Sequence, residues 1–201
     1  MDSLVGSIPC MTRLYITTSL CLMVLCSLDI ISPLNLYMSW TLILQGEVWR
    51  LLTCFIYFGS FGMNFFWNIY VLIHYCSSLE SVSMHNRPAD FFWMLICSAV
   101  MLLGLSQIFH HNMFYGGTMI NVLTYIWGRK NPYSRVGVVF ISVPAPYLPW
   151  IMMLLSYFAG YLLTENLIGI AVGHTYYFFS DVFPRMPISR GIEIFGAPRF
   201  V

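Results

Sequence analysis

Six apolar stretches, each close to the roughly 17 to 25 residues that cross a bilayer as a helix, leave this chain few ways to fold. They run at about 14–31, 51–77, 91–109, 112–128, 147–163 and 166–183 of its 201 residues. In hydrocarbon a backbone must satisfy its own hydrogen bonds, so segments of this length predict helices packed on one another. Only 8% of residues are charged, against about 25% in a soluble domain. The net charge of +1 and the lack of a Lys/Arg-rich tract exclude a nucleic-acid-binding class. The first twenty residues have no early basic region and no small-residue cleavage site, so the first apolar segment is expected to remain as a span.

An even number of spans puts both termini on one side, and the positive-inside rule chooses that side. With cytosolic termini, Arg13, Arg87, Arg129, Lys130, Arg135, Arg185, Arg190 and Arg199 all face the cytosol. Arg50, beside Trp49, is the one basic residue left on the opposite face. The turns "HHN" (110–112) and "TEN" (164–166) are expected to close two antiparallel helical hairpins. Between the first two spans, Leu36, Tyr37, Trp40, Leu44 and Val48 can form one face of an interfacial helix, or the segment can be an apolar loop packed on the bundle. No repeat or low-complexity linker divides the chain, so residues 1–201 are read as a single domain, with 184–201 as a short cytosolic tail.

The polar residues inside the spans need partners. Asn64 and Asn68 on the second span, Asn121 and Thr124 on the fourth, and His174 and Thr175 on the sixth can converge as a membrane-interior polar network or as a hydrophilic vestibule. Asp29, Glu165 and Asp181 lie near span ends, which disfavours a proton-coupled transporter. The six cysteines form no CxxC pair and the histidines no HExxH, so no metal or cofactor is expected. Glu80 or Asp90 can pair with Arg87, and Asp90 is placed to cap the third span. Gly169 and Gly173 lie one turn apart, the spacing that lets a second helix backbone come close.

The stretches "SIPCMTRLY", "VWRLLTCFIYFG", "RPADFFWML", "YIWGRKNPYSR", "APYLPWIM" and "GIAVGHTYYFFSDVFP", in this order, resemble the Derlin family, and most closely its Derlin-2 and Derlin-3 type. Derlins are rhomboid-like pseudoproteases. The resemblance implies an all-α membrane protein: a six-span rhomboid-like helical bundle with an interfacial segment between spans one and two. It implies a multi-pass protein of the endoplasmic reticulum, linked to the unfolded protein response, that aids retrotranslocation of misfolded proteins for proteasomal degradation. Implied partners are those misfolded substrates, a ubiquitin ligase complex, an AAA ATPase, membrane lipid and further copies of the chain. The resemblance also identifies Trp49 and Arg50 with the family's WR motif, and Gly169 and Gly173 with its functional GxxxG.

A rhomboid protease pairs a fourth-span serine with a sixth-span histidine that takes its proton. The fourth span here, "NMFYGGTMINVLTYIWG", contains no serine. Thr118 follows Gly116 and Gly117, but Met119 stands where the turn needs glycine, so no catalytic residue is expected and His174 reads as a relic. An active rhomboid-type protease and a small-molecule channel or transporter are the competing readings. Phe195, Gly196 and Phe200 echo the family's ATPase-binding box without its spacing, so direct binding through the tail is not expected.

Overall fold

The computed structural model describes residues 8–84, 87–106, 113–138, 141–158, 160, 163–187 and 195. Its α-helices are α1 (Cys10–Ser27), α2 (Trp40–Leu44), α3 (Arg50–Ile56), α4 (Met63–Val71), α5 (Pro88–Ser106), α6 (Gly116–Lys130), α7 (Leu148–Phe158) and α8 (Leu163–Tyr177). Two of them, α1 and α5, are long and apolar enough by themselves to cross a membrane. Both bury little of their surface in the protein, as expected for helices that face lipid on one side and their neighbours on the other.

The second apolar run does not form one helix from 51 to 77. It breaks at 57–62, where Gly59 adopts a φ of +100° that side-chain-bearing residues rarely take. The short α3 precedes the break and buries Cys54 and Phe55 in the protein. After it, α4 continues through π-helical turns at Leu72–Cys76 and Leu79–Ser83, so the helical stretch ends about six residues later than the apolar run. The polar segment "SSLESVS" is helical because its side chains find partners on other helices. Trp127 Nε1 donates to Ser78 Oγ at 2.9 Å, and Asn131 Nδ2 donates to Ser83 Oγ at 3.1 Å.

The expected turn at 164–166 is also displaced. Thr164, Glu165 and Asn166 form the first turn of α8, and the bend lies before them, where Gly160 has a φ of +84°. The other expected turn, at 110–112, lies outside the described residues, as do His85 and His111. The segment before α3 is not one interfacial helix. It holds a 3₁₀ turn at Pro33–Asn35, the five-residue α2 and a further turn, with Leu36 buried and Leu44 and Val48 exposed. Asp90 falls inside the first turn of α5, which begins at Pro88, so it does not occupy the cap position. An antiparallel ribbon of β1 (Arg135–Val138) and β2 (Ile141–Pro144), which the all-helical expectation lacked, joins α6 to α7.

At the centre stands α6, in which nearly every residue from Gly116 to Gly128 is buried. Protein surrounds this helix on all sides, so it tolerates Gly, Thr and Asn that a lipid-facing helix would not favour. Its near end fits under the chain between α3 and α4, since a Cβ on Gly116 would meet the Tyr57 carbonyl oxygen at 2.8 Å.

Candidate functional site

Two features meet on α6. The first is a tight seam with α8. Asn166, Gly169 and Gly173 follow one another at i, i+3 and i+7 and share a face. A Cβ on Gly169 would lie 2.6 Å from the Asn121 Cβ and 2.9 Å from the Thr118 carbonyl oxygen, and one on Gly173 would lie 3.0 Å from the Tyr125 Cβ and 3.1 Å from the Val122 carbonyl oxygen. These positions rise together along both helices, so α6 and α8 run parallel, with α7 between them in sequence. Packing this close brings backbone against backbone, which requires glycine at 169 and a very small residue at 173.

Hydrogen bonds flank the seam at both ends. Asn121 Nδ2 donates to Asn166 Oδ1 at 2.9 Å. The Tyr125 hydroxyl and His174 Nδ1 are 2.7 Å apart, with the rings edge to face. At the far end Lys130 Nζ reaches both Asp181 oxygens at 3.2 Å, and the Arg129 guanidinium lies 5.3 Å from the Tyr177 ring centre. His174 is therefore a partnered residue of the seam, bonded to Tyr125.

The second feature is a cavity of about 350 Å³ walled by α4, α6, α7 and α8. Its polar lining is Asn64, Asn68, Asn121, Thr124, Ser156, Glu165 and Asn166, and its apolar wall includes Trp67, Ile120, Met152 and Leu155. Of the six residues expected to converge inside the bundle, Asn64, Asn68, Asn121 and Thr124 line this cavity, and His174 and Thr175 do not. Asn121 and Asn166 belong to both features.

Trp49 and Arg50 lie apart from both, at the start of α3. Trp49 is exposed, whereas Arg50 is only 3% exposed. The Arg50 guanidinium pairs with Glu47, donates to the carbonyl oxygens of Leu34 (2.9 Å) and Tyr37 (3.1 Å), and stacks 4.8 Å from the Tyr37 ring centre. One cation thus gathers the irregular segment 34–50, since arginine's planar fork serves several acceptors at once. Glu80, 1% exposed, does not pair with Arg87, which instead has a loose exposed contact with Asp90. Its carboxylate accepts from Met11 N (3.0 Å), Thr12 N (2.8 Å) and the Thr12 hydroxyl (2.8 Å), capping the N-terminus of α1 from a distant part of the chain. Among the described residues no group of His, Cys, Asp and Glu could hold a metal.

The Der1-like family model matches residues 8–199. The chain belongs to the Derlin family. It is 34% identical to Derlin-2.2 of Zea mays over 205 aligned positions, covering 96% of this chain and 81% of that protein. It is 36% identical to Derlin-2.2 of Arabidopsis thaliana, covering 92% and 81%. Derlin-1.1 of Zea mays is 36% identical over 198 positions, covering 97% and 80%. The role of the chain is therefore of the Derlin type. Derlins are a rhomboid-like family, which makes the surroundings of Thr118 and His174 the place to look for chemistry. The Thr118 hydroxyl is buried without a hydrogen-bond partner among the described residues. Tyr125, the partner of His174, lies two helical turns further along α6, about 10 Å along the axis.

Sequence reasoning missed Tyr125 and Ser156, and read Asn166 as part of a turn. A signal for Asn166 was available, because it shares the face of Gly169 and Gly173. Nothing local marked Tyr125 or the contact of Glu80 with α1.

Proposed function

We propose that this Derlin-family chain is a non-proteolytic, rhomboid-like component of endoplasmic-reticulum-associated degradation that helps misfolded proteins reach the cytosol. The observation that carries the reading is the separation of Thr118 from His174. A base must come within hydrogen-bond reach of the nucleophile it deprotonates. Here the histidine bonds to Tyr125 while the threonine hydroxyl is buried two turns away. In place of a catalytic dyad the bundle offers a polar cavity beside a rigid seam, an arrangement suited to holding a hydrophilic segment at membrane depth.

In this reading the chain crosses the membrane six times, with both termini in the cytosol. The parallel run of α6 and α8 supports that count, because two parallel spans require an intervening crossing. Lys130 and Arg129 gather at one end of the α6–α8 seam, in line with a cytosolic end. Misfolded polypeptides are the substrates. A ubiquitin ligase complex and a cytosolic AAA ATPase supply tagging and pulling force, and further copies of the chain enlarge the path.

The purified protein in liposomes should not cleave a rhomboid substrate. Cleavage that disappears in Thr118→Ala or His174→Ala would contradict the proposal. For the topology, glycosylation acceptors placed within 34–46 or at Gly160 should be modified in the endoplasmic reticulum, while one at Tyr133 should remain bare. Modification at Tyr133 would break the six-span arrangement.

A further inference from the structure

We infer that the cavity between α4, α6, α7 and α8 is charge-selective, taking uncharged or basic polar side chains of a polypeptide and turning away acidic ones. This rests on the proposed retrotranslocation role and specifies the chemistry of the segment the cavity admits. Asn68 is the first observation. Its residue is 9% exposed, it lines the cavity, and its amide makes no hydrogen bond among the described residues. The amide opens onto the cavity and so is free to donate to and accept from a group that enters.

The remaining polar groups agree in kind. Because Asn121 Nδ2 already donates to Asn166 Oδ1, the Asn121 carbonyl oxygen and the Asn166 amide nitrogen are left to face a guest. Asn64 and Ser156 add further groups that both donate and accept. Such a lining matches peptide groups, amide side chains and hydroxyls without demanding one sequence. The indole of Trp67 and the side chains of Leu155 and Met152 provide the apolar wall against which a side-chain stem can lie.

Glu165 sets the sign. It is the only charged residue lining the cavity, and no lysine, arginine or histidine lines it among the described residues. The ion pairs among the described residues are Arg50–Glu47, Arg87–Asp90 and Lys130–Asp181, none of which involves Glu165. A carboxylate without a counter-ion in a half-enclosed, low-dielectric space attracts an ammonium or guanidinium and repels another carboxylate.

The test places a photoreactive residue at Leu155 and follows adducts to a stalled misfolded luminal substrate. Its mobile segment carries Lys, Gln or Glu at matched positions. The Lys and Gln segments should give adducts on the order of tenfold above the Glu segment at low salt. Glu165→Gln, which keeps the shape, should bring that ratio close to one, and Asn68→Asp, which adds a second carboxylate, should widen it for Lys. Equal adducts from Lys and Glu segments in the unaltered protein, or a ratio unmoved by Glu165→Gln, would overturn the selectivity while leaving the retrotranslocation role intact. Absence of any adduct from all three segments would remove the cavity from the polypeptide path and the selectivity with it.

Discussion

The two sides of α6 solve opposite problems. Against α8 it presents Thr118, Asn121, Val122 and Tyr125 to Gly169 and Gly173, with no room for an added methyl group at Gly169 and only a tight fit for one at Gly173. Toward α4 and α7 it leaves about 350 Å³ unfilled and lined by amides. In a bilayer the hydrophobic effect does not hold helices together, because lipid tails are as apolar as leucine. Close backbone packing and interhelical hydrogen bonds must therefore supply the rigidity, and the seam supplies both. A cavity with unpartnered polar groups would collapse or be filled unless its walls were held apart. The comparison teaches that the tight side is what makes the open side tolerable.

The largest effect should come from breaking the seam. Gly169→Val places branched carbons against the Asn121 Cβ and the Thr118 backbone, neither of which can move far. Overpacking typically costs about 1–3 kcal/mol and occasionally more, and this site should fall at or above the upper end. Thermal unfolding in detergent should show the loss. Gly173→Ala, with its nearest contacts at 3.0–3.1 Å, should cost clearly less, and a cost equal to that of Gly169→Val would show that the two glycines do not differ in fit.

Next come the two residues that the regions share, Asn121 and Asn166. Asn121→Ala removes the bond to Asn166 and should cost about 0.6–2 kcal/mol, the range for hydrogen bonds between membrane helices. A double-mutant cycle with Asn166→Ala should show coupling of that size. Smaller still, His174→Gln preserves hydrogen-bonding capacity toward Tyr125, and a loss below about 1 kcal/mol is expected. If it destabilised as much as Gly169→Val, the histidine and not the glycines would hold the seam.

The smallest change in stability belongs to the cavity. Asn68→Leu replaces an amide that has no partner among the described residues, so thermal stability should stay the same or rise slightly. The same substitution should lower substrate crosslinking from Leu155. A marked loss of stability would mean that Asn68 is a structural residue and that the two sides of α6 are not different in kind.

How much of this was legible follows the same division. Apolar runs revealed α1 and α5, because those helices face lipid and the bilayer imposes its length on the sequence. The spacing of Gly169 and Gly173 revealed the existence of the seam, since close approach demands small residues at fixed intervals. Apolarity failed at 51–77, where α3 buries only Arg50, Cys54 and Phe55 and the break is carried by glycine backbone conformation. It failed again at 78–83 and 164–166, where polar residues read as helix ends. Ser78, Ser83 and Asn166 instead bond across to α6, and Glu80 reaches α1. Contacts between residues far apart in the chain leave no local trace. The role of Arg50 was half visible, for its lone position marked it, but the carbonyls of Leu34 and Tyr37 belong to tertiary structure.

The most direct test is the decay of a misfolded luminal reporter in cells that depend on this chain, carrying either the unaltered protein or Asn68→Leu at matched membrane levels. If the open side of α6 receives substrate while the seam only supports it, Asn68→Leu should slow decay several-fold with the bundle as stable as before. Decay at the unaltered rate with Asn68→Leu in place would contradict that division of labour.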